Sequence, residues 1–168
     1  MKLTDILPVE KWMEFEDKIF KKSGLESNVF NILGIRITNN KRWVNRLCPE
    51  IKANDKGQSF ICAVAHMNLA AQANKTKKHV IFECDAGLLK IVVPIFVKDE
   101  FVGAIGACGL LLDDGEVDSF MIEKTTEIDE EKIKSLSNDI SKVSTHFAES
   151  LVEFIKEELD LILRKFDQ

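Results

Sequence analysis

Between Val9 and Lys22 the apolar residues Val9, Trp12, Met13, Phe15, Ile19 and Phe20 recur at helical spacing, with Pro8 suited to a first turn and Gly24 to a stop. The pattern predicts an amphipathic opening helix. The stretch "SNVFNILGIRIT" is rich in β-formers on both sides of Gly34 and predicts two short strands meeting at a turn, the second running out at "TNNK". Helical patterning returns from Arg42 to Glu50 and from Gly57 to Asn74, where Ala63, Ala65, Ala70, Ala71 and Ala73 allow close packing. After "KTKK" come the β-like runs "HVIFEC", "LLKIVVPIFV" and "EFVGAIGACGLLL", the last two joined by "KDE", which fits a hairpin. Pro94 inside its run predicts a sheet edge or a bulge there.

The tail changes character. Val117 to Ile140 predicts two short helical pieces, one of them at "DEEKIKSL", and Val143 to Phe166 predicts a longer helix. On that helix Phe147, Leu151, Ile155, Leu159, Ile162 and Phe166 form a stripe that either completes the core of its own domain or packs on a second copy. The element order gives an α+β fold: a five-stranded, mainly antiparallel sheet with flanking helices and a C-terminal helix. It resembles the order of PAS or GAF type sensor domains, with residues 1–140 as the sensory part and 141–168 as a signalling or dimerisation helix. Sheets of this kind commonly hold a small ligand between one face and the connecting helices.

Length and charge narrow the picture. The 168 residues, 45% apolar and 30% charged, suffice for one core but not for two large ones. The net charge of −5 is dispersed along the chain with no basic cluster, which argues against an electrostatic grip on nucleic acid. No run approaches the ~20 apolar residues needed to cross a bilayer, and the N-terminus lacks the apolar stretch of a signal peptide. A cytoplasmic protein with reduced thiols is the expectation.

Cys48, Cys62, Cys84 and Cys108 are separated by 13, 21 and 23 residues, which matches no compact zinc finger or ferredoxin run. Their contexts are more informative: Cys48 precedes Pro49 at a helix start, Cys62 stands four residues before His66 on one helix, and Cys84 ends a strand before "DAG". Converging from separate elements, Cys48, Cys62 and Cys84, with His66 or Cys108, would supply donors for zinc or an iron-sulfur cluster. The alternative is that cysteine serves as a small apolar filler, which suits Cys108 best because its neighbours are glycine and alanine. His79 and His146 lie in polar surroundings and are expected to face solvent.

Two further chemistries are open. A pocket for a small organic metabolite, a diol or short acid, would draw its contacts from Phe30, Phe60, Phe82, Gly87, Ile91, Val93 and Ile105, strand alternation deciding which face inward. A thiol enzyme would use Cys62 with His66 as base, but no orienting third residue or oxyanion motif accompanies them. The glycines of "GAIGACG" lie inside an apolar run instead of opening a helix, so they are no dinucleotide fingerprint and permit a bulge or a close approach instead. No GxSxG, HExxH or P-loop pattern occurs, and the expectation is not an enzyme.

The succession "LCPEI" at 47–51, "KGQSFIC" at 56–62, "ECDAGLLKIVVPIFV" at 83–97 and "FVGAIGACGLLL" at 101–112 resembles the PocR-type sensory domain over residues 5–115. The shared pattern falls on Cys48, Cys62, Cys84, Ala86, Gly87, Leu88, Pro94 and Gly103. Members often carry a polar residue where His66 stands and a histidine where Asp85 stands. The resemblance implies a ligand-binding module that transmits a signal, and it raises the three patterned cysteines above simple packing. It also implies an output kinase or DNA-binding domain in cis or trans. With no such segment after the last helix, the chain is expected to be an excised domain or a stand-alone sensor. The leading expectation is a cysteine-lined site for metal or small ligand, read out through a homodimer formed by the C-terminal helix.

Overall fold

Helix α1 (Leu3–Ile6) is a single turn, and its Leu3 carbonyl accepts a 3.0 Å hydrogen bond from the buried Trp12 indole of α2 (Val9–Ser23). In α2 the Pro8 carbonyl accepts from the Lys11 and Trp12 N–H groups, and the helix stops at Gly24. The structure, a computed structural model, describes residues 1–168. Four strands follow along the chain: β1 (Glu26–Asn31), β2 (Val80–Glu83), β3 (Leu89–Val97) and β4 (Glu100–Cys108). They form one antiparallel sheet in the order β1-β4-β3-β2.

The α+β architecture is the one the sequence predicts, with the fifth strand reduced to a single bridge between Phe30 and Arg36. Asn31 explains the reduction. Its side-chain oxygen takes the Leu33 and Ile35 N–H groups, closing the turn locally. The chain then leaves the sheet for α2, where Asn40 donates to the Met13 carbonyl and Arg42 pairs with Asp17. Pro94 lies where β2 has already ended, since β2 covers β3 only from Leu89 to Val92, and a register shift follows at Ile95/Phe96. The last β-like run is broken after Cys108, and its end becomes β5 (Leu111–Leu112), parallel to β6 (Lys142–Val143) from the tail.

The connection from β1 to β2 carries α3 (Leu47–Ala53), α4 (Asp55–Gly57), a π-helical segment Gln58–Ala63 and α5 (Val64–Thr76). The tail carries α6 (Ser119–Thr126), α7 (Glu130–Ser137) and α8 (Thr145–Phe166), capped in turn by the Asp118, Asp129 and Ser144 side chains. Residues Leu151, Ile155 and Leu159 of the α8 stripe are buried in their own chain against Trp12, Phe15 and Ile19 of α2 and Ile91, Val93 and Ile105 of the sheet. No helix is long and apolar enough to cross a membrane.

Glu16 is the buried charge that ties α2 to the sheet. Its Oε1 accepts a 2.8 Å bond from the Val29 N–H and another from the Thr38 hydroxyl, while Oε2 has no partner. Burial raises its carboxyl above the ordinary 4.5, against the opposing pull of those bonds and of Arg36. The folded state therefore holds the Glu16 proton more tightly, and the stability this gives is lost as pH rises from 4.5 through the raised value. Urea denaturation across that window should show wild type losing stability relative to Glu16→Gln as pH rises. Glu16→Ala, which strands the Val29 and Thr38 donors, should cost about 1–3 kcal/mol.

Candidate functional site

Helix α5 covers only half of the sheet face opposite α2 and α8. Leu69 and Ala73 of α5 pack on Val80, Val92 and Ala104. Beyond them α3 and the π-helical segment stand off the sheet and leave a cavity of about 580 Å³. Strand alternation decides what enters it: Glu26, Asn28 and Phe30 from β1, Cys108 from β4 and Lys90 from β3 face the cavity. Glu26 and Lys90 both lie opposite Cys108 in register, so the three form a row across the sheet.

All four cysteines and His66 line this cavity. Cys48 is set by Asn45, whose side-chain oxygen caps α3 by accepting from the Leu47 and Cys48 N–H groups. The Asn45 amide meanwhile donates to the Cys48 sulfur at 3.2 Å and to the Gly109 carbonyl at 2.6 Å, tying α3 to the end of β4. Cys84 begins a tight turn in which its N–H donates to the Leu88 carbonyl and its own carbonyl accepts from Gly87. Cys62 lies on the π-helical segment, which replaces the uninterrupted α-helix expected over Gly57 to Asn74. The π-helical turn ends at Ala63, and Cys62 and His66 both face the cavity. Both ring nitrogens of His66 are buried without a hydrogen-bond partner, so the two residues form no thiol–imidazole dyad.

Burial sets the protonation of these groups. It pushes the Cys48 and Cys84 thiols up, assisted at Cys48 by nearby Cys108, and moves Cys62 up to about 11. It drives His66 down to about 3, with the Lys90 and Lys52 charges adding to the effect. At neutral pH Cys48, Cys62 and Cys84 are protonated thiols, and a neutral imidazole stacks on Phe30 at 3.6 Å between ring centroids. No three of its His, Cys, Asp and Glu side chains stand together so as to hold a metal ion. Cys48, Cys62 and Cys84 also pack against the apolar cluster of Leu47, Ile51, Ile61, Leu88 and Ile122, so packing and cavity lining are one position for them.

The other residues singled out for ligand contact are placed elsewhere, except Phe30. Ile91, Val93 and Ile105 point to the α2 and α8 side, on the same face as Leu89, Ile95 and Ala107. Phe60 and Phe82 are 60% and 63% exposed and do not line the cavity, Phe60 on the outside of the π-helical segment and Phe82 on the edge strand. Gly87 shapes the turn after Cys84: its φ is +87° and an added Cβ would lie 2.0 Å from the Glu116 carbonyl oxygen. Lys90, Glu26 and Arg36 escape the sequence reasoning. A lone charge within "LLKIVVPIFV" was the available signal for Lys90.

The sign of the His66 linkage is fixed by its low value. Below its ordinary 6.5 the unfolded chain takes up a proton that the folded chain refuses until about 3, so stability falls as pH drops through this window. Chemical denaturation between these limits should show wild type losing up to about 1.4 kcal/mol per pH unit relative to His66→Leu. Equal slopes would place water or a partner on the ring. Among comparisons with known proteins, no curated protein and no solved structure matches the chain. The family model described as the sensory domain found in PocR matches residues 5–165, and the chain belongs to that family.

Proposed function

We propose that this sensory domain binds a small ligand in the cavity between the sheet and α3, the π-helical segment and α5, and passes the occupancy of that cavity to α8. One observation carries the reading. His66 keeps both ring nitrogens unpartnered and buried inside a cavity of about 580 Å³, and an unsatisfied buried polar group is costly unless something pairs with it. The family is a sensory one, which favours binding over catalysis. The raised thiol of Cys62 and its lack of a bond to His66 weigh in the same direction.

The route to α8 runs through β3. Lys90 of β3 faces the cavity, while Ile91 and Val93 beside it pack in the cluster that holds Leu151 and Ile155 of α8. A shift of β3 on binding would be felt by α8 directly. The output partner, a kinase or DNA-binding domain in cis or trans, would read α8. With Leu151, Ile155 and Leu159 buried internally, a homodimer through this helix would use its far end, where Leu161 is 52% exposed.

A melting-temperature screen against short diols and acids tests the ligand reading: at least one compound should stabilise the protein progressively with concentration, as mass action requires. Ala63→Phe, which fills space beside Cys62, should abolish the response while leaving the unliganded melt in place.

A second reading rests on the five soft or borderline donors, Cys48, Cys62, Cys84, Cys108 and His66, sharing that one cavity. They would take zinc or an iron-sulfur cluster only after side-chain rearrangement and loss of thiol protons. Metal and sulfide analysis with a visible spectrum on anaerobically purified protein decides it. Stoichiometric zinc, or iron with charge-transfer bands, would support the metal site, and metal-free colourless protein would leave the thiols as cavity lining.

A further inference from the structure

The charges inside the cavity do not balance. Lys90 is 8% exposed, and its ammonium stands 5.3 Å from the centroid of the Phe30 ring. No carboxylate of the chain lies within ion-pair distance of it. Glu26, the one acid among the lining residues, has its Oε1 taken by Arg36 at 3.1 Å, and Lys90 is two strands away across the Cys108 row. With Lys52 and Lys41 also on the wall, positive charge exceeds negative. An ammonium that faces a partly covered cavity without a counter-ion is left to pair with an anion that enters it.

The surroundings are built to keep Lys90 where it is. Gly106 makes room for it: an added Cβ there would come within 3.2 Å of the Lys90 Nζ and 3.0 Å of the Phe30 ring. His66, neutral and stacked on the same Phe30, offers one N–H donor that no protein acceptor claims. Lys52 stands over the Trp43 ring at 5.9 Å and also borders the cavity.

We propose that the cavity is a receptor site for a small organic carboxylate, its anionic head held by Lys90 with Lys52 and the His66 N–H, and its short apolar body against Phe30 and the cysteines. The inference deepens the ligand-binding reading and rests on it. A carboxylate fits this donor set better than an inorganic phosphate. One nearly buried ammonium and one imidazole N–H suit two oxygens, and half of the 22 lining residues are hydrophobic, which rewards an apolar body.

The test compares acetate, propionate, butyrate and valerate with their amides and with propane-1,2-diol, at constant ionic strength, by calorimetric titration and melting temperature. The carboxylates should bind and the neutral compounds should not. Lys90→Met should weaken carboxylate binding about tenfold or more, yet melt no lower than wild type without ligand, because it removes an unpaired charge. Lys90→Arg, which keeps the charge, should retain binding and serves if the Met variant fails to fold. If the amides or the diol bind as well as the acids, or Lys90→Met leaves acid affinity unchanged, the carboxylate assignment is overturned and the ligand-binding reading survives. If no compound of any set binds, both are overturned.

Discussion

Alternation along β3 and β4 is the constraint on which the rest of the molecule depends. A sheet one layer thick, covered on both faces, must send every second side chain to each side. Ile91, Val93, Ile95 and Ile105 go to the dry side, where Trp12 and Ile19 of α2 and Leu151 and Ile155 of α8 close over them. Lys90 and Cys108 go to the other, together with Glu26 and Asn28 of β1. The dry side supplies cohesion, since each large apolar side chain buried there contributes about 1.5–3 kcal/mol. That surplus lets the opposite face carry an incompletely covered, partly polar cavity.

Burial moves Cys48, Cys62, Cys84 and His66 of the cavity toward their neutral forms, with opposite consequences for the thiols and the imidazole. The thiols keep their protons and the imidazole loses its own. The lysines are left as the charged groups on the wall apart from the Glu26–Arg36 pair. The cysteines in this state are soft, weakly polar lining, consistent with their contact with the apolar cluster of α3 and α6.

The elements legible in the sequence are those whose period and caps agree. The amphipathic face of α2, the Ser144-capped α8 and the antiparallel runs of β3 and β4 follow from local pattern alone. Convergence of Cys48, Cys62 and Cys84 is also legible in outline, because each stands at the end of an element or on the connecting helix; Cys108, which suits a packing role by its neighbours, and His66 line the same cavity. Three features were not legible. The π-helical segment at Gln58–Ala63 has no composition signature that separates it from α-helix. Alternation tells that Ile91 and Lys90 face opposite ways but not which side holds the cavity, so apolar patterning points to Ile91, Val93 and Ile105 whereas Lys90, Glu26 and Asn28 line it. The loss of the fifth strand depends on Asn31 closing its own turn, a side-chain choice that β-propensity does not contain.

The same alternation bears on how a sensor of this build reports occupancy. Lys90 and Ile91 are adjacent on one strand, so a force on the ammonium and a force on the α8 contact act on the same backbone. β3 is held by two neighbours only from Lys90 to Val92, and beyond that by β4 alone, with a register shift at Ile95/Phe96. Its doubly paired stretch carries both the cavity residue Lys90 and Ile91 of the cluster that holds α8, so the two are fixed to one well-supported piece of backbone. Close-packed interfaces respond to such displacements by switching between arrangements instead of deforming continuously. On the proposed reading, the covered core of α8 belongs to the sensing mechanism: a helix free of the sheet would have nothing to respond to, and one buried from end to end would have nothing to present.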